Sequence, residues 1–216
     1  MTGPRPRDVF ASRILPLHRE RLALLVIDAQ NWVMDEEKRQ NRPEFYADAR
    51  SFVIPNIARL IGASRSHGVE VIYTVMENLT TDGRDRGLDY KLSNFFIAKG
   101  SLDAKVIDAL KPGPDEIVIP KTSSSLFNST NFEYLLRNIG IDTVAVTGFL
   151  TDQCVDHTIR DGADRGFHMI SLADACATDT RARHQAALNA FKGYCRNETT
   201  ASLIAAMDKD FQCSRS

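Results

Sequence analysis

The segment Ile141-Asp-Thr-Val-Ala-Val146, followed by Thr147-Gly-Phe-Leu-Thr-Asp-Gln-Cys-Val155, decides the fold. Its first six residues are β-branched and mostly apolar, which is typical of a buried strand. Val155, Ile159 and Ala163 then recur at helical spacing, so the pattern predicts that a helix follows the strand. A strand that leads directly into a helix is the repeating unit of a parallel α/β sheet.

Cys154 falls in or beside the first turn of this predicted helix, at the carboxyl end of the strand. Thr151 and Asp152 are both favourable N-cap residues, and we expect one of them to cap the helix. Unpaired N–H groups and the positive end of the helix dipole lower the pKa of a thiol placed there. The segment therefore predicts a reactive thiolate, although by itself it is equally compatible with a small buried apolar residue.

The same alternation of strand and helix extends along the chain. Predicted strands cover residues 22–27, 69–75, 116–120, 141–146 and 167–172, with at most one short strand near the C-terminus. Further helices are predicted near 52–68, 101–110, 131–138, 183–194 and 199–207, with Gly68 and Gly140 ending two of them. Because the strands are almost continuously apolar, helices should cover both faces of the sheet. The fold class is therefore a three-layer α/β/α sandwich with a five- or six-stranded, mainly parallel, Rossmann-like sheet.

Composition limits the function classes. A chain of 216 residues is long enough for one core, and we expect an irregular arm over 1–20, lying on a neighbouring subunit, and one domain over 21–216. The 27 basic and 28 acidic residues nearly balance, which disfavours nucleic acid or an anionic membrane as partner. The N-terminal residues lack the apolar core of a signal peptide. The four cysteines are widely spaced, which favours reduced thiols and a cytoplasmic location.

Three chemically distinct groups follow predicted strands: Asp28, Lys121 and Cys154. Since the carboxyl ends of parallel strands meet at one edge of a sheet, these side chains should converge there. A thiolate can attack an electrophilic carbon, and a carboxylate can take the thiol proton and return it to a leaving amine. A lysine between them can stabilise negative charge. Taken singly, Asp28 could cap a loop and Lys121 could be a solvated surface residue.

Other chemistries are open but less favoured. His157, three residues after Cys154, could form a Cys–His dyad. The serines at 123–125 could suggest a nucleophile, but no Gly-x-Ser-x-Gly elbow surrounds them. Arg160 is expected to be structural. No phosphate-binding Gly-x-Gly-x-x-Gly motif follows the first strand, which disfavours a dinucleotide enzyme.

Several separated motifs resemble one known family. They are Asp28-Ala-Gln30, Lys121-Thr-Ser-Ser-Ser125-Leu-Phe127, Gly148-Phe-Leu-Thr-Asp-Gln-Cys154-Val155, Thr158-Ile-Arg160-Asp-Gly162 and Ala173-Asp174-Ala175. In this order they resemble the isochorismatase-like cysteine hydrolases over roughly residues 20–206. That family includes nicotinamidases, N-carbamoylsarcosine amidohydrolase, ureidoacrylate amidohydrolase and biuret hydrolase.

The resemblance implies an Asp28–Lys121–Cys154 catalytic triad that forms a thioester acyl-enzyme. It also implies a cis peptide bond between Phe149 and Leu150, with the N–H groups of Leu150 and Cys154 as oxyanion hole. It further implies a homo-oligomer, either dimer or tetramer, with no cofactor. The Asp-x-His spacing of zinc-dependent nicotinamidases is missing, so no metal site is expected and nicotinamide becomes a weaker substrate candidate.

The sequence indicates the substrate less clearly than it indicates the reaction. A cysteine at 154 favours a small linear amide or ureido compound, because family members that cleave the vinyl ether of isochorismate can lack it. Two alternatives stay open: a C–O hydrolase of that isochorismatase type, and a catalytically idle binding protein. The irregular segment 76–100 is expected to form a lid or wall. Candidate substrate-binding residues are Asn31, Trp32, Glu77, Asn78, Tyr90, Lys91, Phe95, Ser125 and Phe149.

Overall fold

Six parallel strands form the centre of the molecule in a computed structural model, which describes residues 13–213 (for 212 and 213 the backbone only). The strands are Leu22–Ile27 (β1), Glu70–Met76 (β2), Ile117–Lys121 (β3), Thr143–Phe149 (β4), His168–Ala177 (β5) and Arg196–Glu198 (β6). They are ordered β3-β2-β1-β4-β5-β6, and every neighbouring pair is parallel. All six residues of β1 are buried, as expected of a strand covered on both faces. The predicted fold class is confirmed.

Helices flank this sheet. They are Pro43–Asp48 (α1), Ile54–His67 (α2), Leu88–Leu92 (α3), Leu126–Ser129 (α4), Phe132–Ile139 (α5), Asp156–Asp164 (α6), Arg181–Phe191 (α7) and Thr200–Cys213 (α8). The chain runs outward in one direction from β1 to β3 and in the other from β4 to β6. Right-handed crossovers therefore place α2 on one face and α6 and α7 on the other. Helix α8 returns to pack against α2.

The predicted helix ends are accurate where glycine provides the stop. Gly68 and Gly140 follow α2 and α5 with φ of 69° and 84°, the left-handed conformation that a residue with a Cβ adopts only with strain. The helix predicted over 101–110 is wrong. Only a 3₁₀ turn, Asp108–Leu110, forms there, because the preceding backbone forms a turn whose carbonyl oxygens bond to the loop after β1, as in Asn31 N to Lys105 O at 2.9 Å.

Residues 1–12 of the predicted arm lie outside the described residues. From residue 13 onward the arm packs on its own chain: Leu17 is buried, and its backbone N–H donates to Asp210 at 2.8 Å. This part of the arm therefore packs against α8 of the same chain. Between residues 13 and 213, no helix has the length and apolar character needed to cross a membrane.

Candidate active site

The site lies where the strand order reverses, between β1 and β4. In an open parallel sheet this switch point leaves a crevice beyond the carboxyl ends of the two strands. Ile27, the last residue of β1, is in register with Gly148 near the end of β4. The residues that follow these two strands therefore line the two sides of the crevice. The residue that follows β1 is Asp28.

Asp28 is held at the strand end by backbone contacts. Its φ is 51°, and its N–H donates to Thr74 O of β2 at 3.0 Å. Two residues later, the buried Gln30 amide accepts from Met76 N at 2.7 Å and donates to Met76 O and Asp103 O at 3.0 Å each. These bonds fix the turn against the end of β2 and leave the Asp28 carboxylate facing the crevice. A positive φ outside glycine is uncommon, although Asp tolerates it better than most residues.

Lys121 reaches the same point from the sheet edge. It is the last residue of β3 and is in register with Met76 of β2, so its side chain must pass the end of one intervening strand. Its Nζ lies 2.9 Å from Oδ2 of Asp28 and 3.3 Å from Sγ of Cys154. The third contact is the Ser123 carbonyl oxygen at 3.0 Å. The three predicted groups therefore meet in one buried cluster.

Cys154 sits in a single π-helical turn, Thr151–Val155, that leads into α6. The predicted cap is wrong: Leu150 occupies the N-cap position, and no side chain caps the turn. The Thr151 hydroxyl instead lies 2.8 Å from His184 Nδ1, and Asp152 pairs with Arg183. Both side chains therefore tie the cysteine turn to α7 instead of capping it.

The approach to this turn has unusual backbone geometry. Gly148 has φ of 111°, and a Cβ there would overlap the Ile27 carbonyl oxygen of β1. The peptide bond one residue further along, Phe149–Leu150, is cis. Val155 N–H donates to the Leu150 carbonyl at 3.2 Å, which closes the turn around Cys154.

Burial governs the charges in the cluster. It raises the pKa of Asp28, and the Lys121 ammonium partly offsets this increase. Burial lowers the pKa of Lys121, but the charge of the neighbouring Asp28 carboxylate raises it, so the lysine pKa is above its ordinary value. The predicted lowering of the thiol pKa is wrong. Burial raises the pKa of Cys154 to about 12, more than Lys121 lowers it. At rest the sulfur is therefore a thiol.

A cavity of about 740 Å³ opens above Cys154. Of the residues proposed from sequence, seven line it: Asp28, Trp32, Tyr90, Phe95, Phe149, Leu150 and Cys154. The Phe95 ring contacts Trp32 and Tyr90, each with centroids 4.7 Å apart. These aromatic side chains form one wall of the cavity, and the expected wall role of segment 76–100 applies to Tyr90 and Phe95.

Five proposed substrate-binding residues do not line the cavity. Asn31 donates to Leu102 O, and Ser125 caps α4 by accepting from Phe127 N. Glu77 and Asn78 accept from backbone N–H groups of Gly100 and Ile97, so they brace the segment between β2 and β3. Lys91 is exposed on the outside of that segment. Four of these five side chains are engaged in hydrogen bonds within the chain, and the sequence does not reveal such bonds.

Several lining residues carry no signal in the sequence and were not predicted: Lys38, Asn41, Arg42, Gln153 and Asp179. Arg42 precedes α1, and its Nε donates to the Asp179 carboxylate at 2.5 Å, although 137 residues separate them. Arg183 bonds the other Asp179 oxygen and also pairs with Asp152. No local pattern marks these positions, because the folded chain brings them together from separate crossovers.

The Cys–His dyad receives no geometric support. His157 also lines the cavity, but its Nδ1 contacts the Gln153 carbonyl oxygen at 2.8 Å, and the sulfur has Lys121 as its partner. Arg160 pairs with Asp156 along α6, as a structural residue would. Over residues 13–213, no three His, Cys, Asp or Glu side chains cluster as metal ligands would.

The chain is similar in sequence to proteins of known family. The Isochorismatase domain family matches residues 22–203. Ureidoacrylate amidohydrolase RutB of Methylorubrum extorquens is 32% identical over 169 residues, covering 70% of this chain and 68% of that protein. RutB of Variovorax paradoxus is 30% identical over 199 residues, with 80% and 78% covered.

Solved structures show the same likeness. A cysteine hydrolase from Pseudomonas syringae pv. phaseolicola has a TM-score of 0.81 at 28% identity, covering 91% of this chain and 97% of that one. N-carbamoylsarcosine amidase from Thermoplasma acidophilum has a TM-score of 0.69 at 26% identity, with 83% and 96% covered. The parallel sheet, the crevice and these matches together define an α/β hydrolytic enzyme fold. The chain belongs to the isochorismatase family of hydrolases, as the sequence motifs indicated.

Proposed function

We propose that this hydrolase is a cysteine amidohydrolase that cleaves a C–N bond in a small linear amide or a ureido or carbamoyl compound. One observation carries the proposal: the Lys121 ammonium contacts both the Asp28 carboxylate and the Cys154 sulfur at the base of the cavity. The relatives named ureidoacrylate amidohydrolase support a ureido substrate.

The mechanism starts from a thiol, because the raised pKa of Cys154 leaves little thiolate at neutral pH. Asp28 accepts the thiol proton as Sγ attacks the substrate carbonyl carbon. Lys121 stabilises the negative charge while it passes between the sulfur and the carboxylate. The backbone N–H groups of Leu150 and Cys154 are the proposed donors to the oxyanion.

The C–N bond then breaks, and the leaving nitrogen takes the proton from Asp28 to depart as ammonia or an amine. Water attacks the resulting thioester on Cys154, with Asp28 accepting its proton. The free acid and the thiol are regenerated. A raised Asp28 pKa suits this role, since the group must hold a proton in one step and release it in the next.

Ammonia release tests the proposal. Purified protein is offered biuret, N-carbamoyl amino acids, ureidoacrylate analogues, nicotinamide and simple amides, with Cys154→Ala as the inactive variant. Cys176→Ala is the matched control, because Cys176 is also a buried free cysteine but lies on β5 outside the cavity wall. We expect one compound class to release ammonia, with a loss of at least about a thousandfold only in Cys154→Ala.

Two outcomes would favour one of the alternative functions over the amidohydrolase. Activity that survives Cys154→Ala on a vinyl ether would support the C–O hydrolase alternative. Saturable binding of a compound to the cavity with no turnover of any compound would support the catalytically idle binding protein. If ammonia is released, the compound that is turned over identifies the substrate class.

A further inference from the structure

Arg42 lines the cavity but has no role in the mechanism above. It directly precedes α1, and its guanidinium lies over the Phe45 ring, 4.0 Å from the centroid. The Phe45 ring in turn contacts the ring of Phe149 on β4, with centroids 5.1 Å apart. Phe149 lines the same cavity and is followed by the turn that carries Cys154. These contacts place the guanidinium on the cavity wall, one aromatic ring away from the strand that leads to the nucleophile.

The guanidinium of Arg42 has a donor that the protein does not use. Its Nε donates to Asp179 at 2.5 Å, whereas its Nη2 is shielded from water and has no hydrogen-bond partner within residues 13–213. A charged donor that is kept from water without an acceptor is costly, so such groups are uncommon in folded proteins. Because Arg42 lines the cavity, a ligand in that cavity can supply the missing acceptor.

The carboxylates next to this guanidinium are already paired. Asp179 also lines the cavity, but one of its oxygens accepts from Arg42 and the other from Arg183 at 2.6 Å. Arg183 pairs in addition with Asp152 at 2.5 Å. Two guanidiniums and two carboxylates therefore balance in charge, and this group of residues does not exclude an anion from the cavity.

A second cation comes from the same segment of the chain. Lys38 lines the cavity, and its Nζ lies 3.6 Å from the centroid of the Trp32 ring and 3.4 Å from the Asp35 carboxylate. Asp89 also lines the cavity, but it is exposed, so water and salt screen its charge. An anionic ligand in the cavity therefore meets two cations, Lys38 and Arg42.

We propose that Arg42 binds a carboxylate group of the substrate, which makes the substrate a ureido or carbamoyl acid. This inference rests on the amidohydrolase function proposed above. A planar guanidinium matches a carboxylate in geometry, because two of its N–H groups can donate to the two carboxylate oxygens. The contact holds one end of the molecule while its carbamoyl carbon lies at Cys154. Arg42 therefore determines specificity and takes no part in bond cleavage.

Paired probes that differ only in the anionic group test the proposal. N-carbamoylglycine and N-carbamoyl-β-alanine are each compared with the corresponding neutral carboxamide. Calorimetry measures their binding to the Cys154→Ala protein, in which binding proceeds without turnover. Two further substitutions are made in that protein: Arg42→Gln removes the charge, and Arg42→Lys keeps the charge without the planar fork.

Arg181→Gln in the same protein is the matched control. Arg181 also joins the α1 and α7 regions by an ion pair, with Asp48 at 2.8 Å, but it does not line the cavity. Circular dichroism establishes that each variant is folded at the assay temperature.

We expect at least one acid to bind about tenfold more tightly than its carboxamide, or better, in the Cys154→Ala protein and in the Arg181→Gln control. Arg42→Gln should abolish this preference and leave the affinity for the carboxamide unchanged, and Arg42→Lys should retain only part of it. A purely structural role of Arg42 would weaken the acid and the carboxamide equally. That result, a preference that survives Arg42→Gln, or the absence of any preference for an acid would overturn the proposal.

The outcome is separate from that of the ammonia assay, because binding is measured without turnover. Ammonia release from neutral ureides, with no preference for the acids, would refute the carboxylate contact and leave the amidohydrolase proposal intact. An Arg42-dependent preference for an acid, with no ammonia released by the unaltered protein, would support the contact and refute the amidohydrolase.

Discussion

The ammonium nitrogen of Lys121 lies 2.9 Å from the Asp28 carboxylate, and the two side chains are 0% and 1% exposed to solvent. Moving two charges out of water is costly, and only their mutual attraction and further hydrogen bonds offset that cost. Because the pair sits directly beside the cysteine sulfur, its stability and the proposed chemistry are linked.

Removing one partner should therefore destabilise the fold. We expect Lys121→Met to lower the free energy of unfolding by about 3–5 kcal/mol, because it leaves the Asp28 carboxyl buried without its counter-ion. Urea unfolding measures this loss, and ammonia release should disappear as well. Lys99→Met, at an exposed lysine, is the matched control and should stay within about 0.5 kcal/mol.

The double variant Asp28→Asn with Lys121→Met separates the cost of an unpaired charge from the loss of packing. Because it removes both charges, it should recover much of the stability lost in Lys121→Met while remaining inactive. If the single Lys121 variant is as stable as Lys99→Met, the pair contributes nothing to the fold, contrary to its burial.

The sequence predicts this pair because each of its members follows a strand that is apolar along its length. Alternation of strands and helices then fixes one shared sheet edge, so the order of residues alone predicts that Asp28, Lys121 and Cys154 converge. The depth at which a group is buried cannot be predicted from the sequence in the same way. The helix-start signals around Cys154 predict a lowered pKa, whereas desolvation, which depends on the tertiary packing, raises it.

Prediction of the cavity wall from the sequence is limited in the same way. Tyr90 and Phe95 of segment 76–100 line the cavity as expected, because large apolar side chains in an irregular segment usually pack inward. The prediction fails for polar residues of that segment, since Glu77 and Asn78 satisfy backbone N–H groups instead. Contacts such as Arg42 with Asp179 depend on which crossovers become neighbours, and a single sequence carries no signal for that.

Alkaline pH should destabilise the protein partly through Cys154. Its folded pKa, about 12, lies above the ordinary thiol value of 9.0, so only the unfolded state loses the proton between these values. The stabilising contribution is complete below pH 9 and is lost as pH rises towards 12. We expect a decrease of at most about 1.4 kcal/mol per pH unit from this thiol.

Urea unfolding at pH 8, 9 and 10 measures that slope. The Cys154→Ala variant should show a shallower dependence, because the other buried thiols and tyrosines are common to both proteins. If the free energy of unfolding has the same pH dependence in the two proteins, Cys154 ionises equally in the folded and unfolded states.

Gly148 should tolerate no side chain. Its φ of 111° is strained for any other residue, and a Cβ would collide with the Ile27 carbonyl oxygen of the neighbouring strand. We expect Gly148→Ala to cost at least about 3 kcal/mol of unfolding free energy in urea. Gly62→Ala is the control, because Gly62 lies in α2 with open space around it and should gain about 0.5–1 kcal/mol. Equal stability of the two variants would contradict the close strand contact.

Ligand binding should be visible through Trp32, the single tryptophan of the chain. Its ring lines the cavity and contacts Phe95, and Lys38 Nζ lies 3.6 Å from its centroid. A compound that enters the cavity must change the water and charge around this ring. We expect a saturable change in tryptophan emission when the hydrolysed compound is titrated into the Cys154→Ala protein, where binding proceeds without turnover. Calorimetric binding with no change in emission would mean that the ligand avoids the aromatic wall.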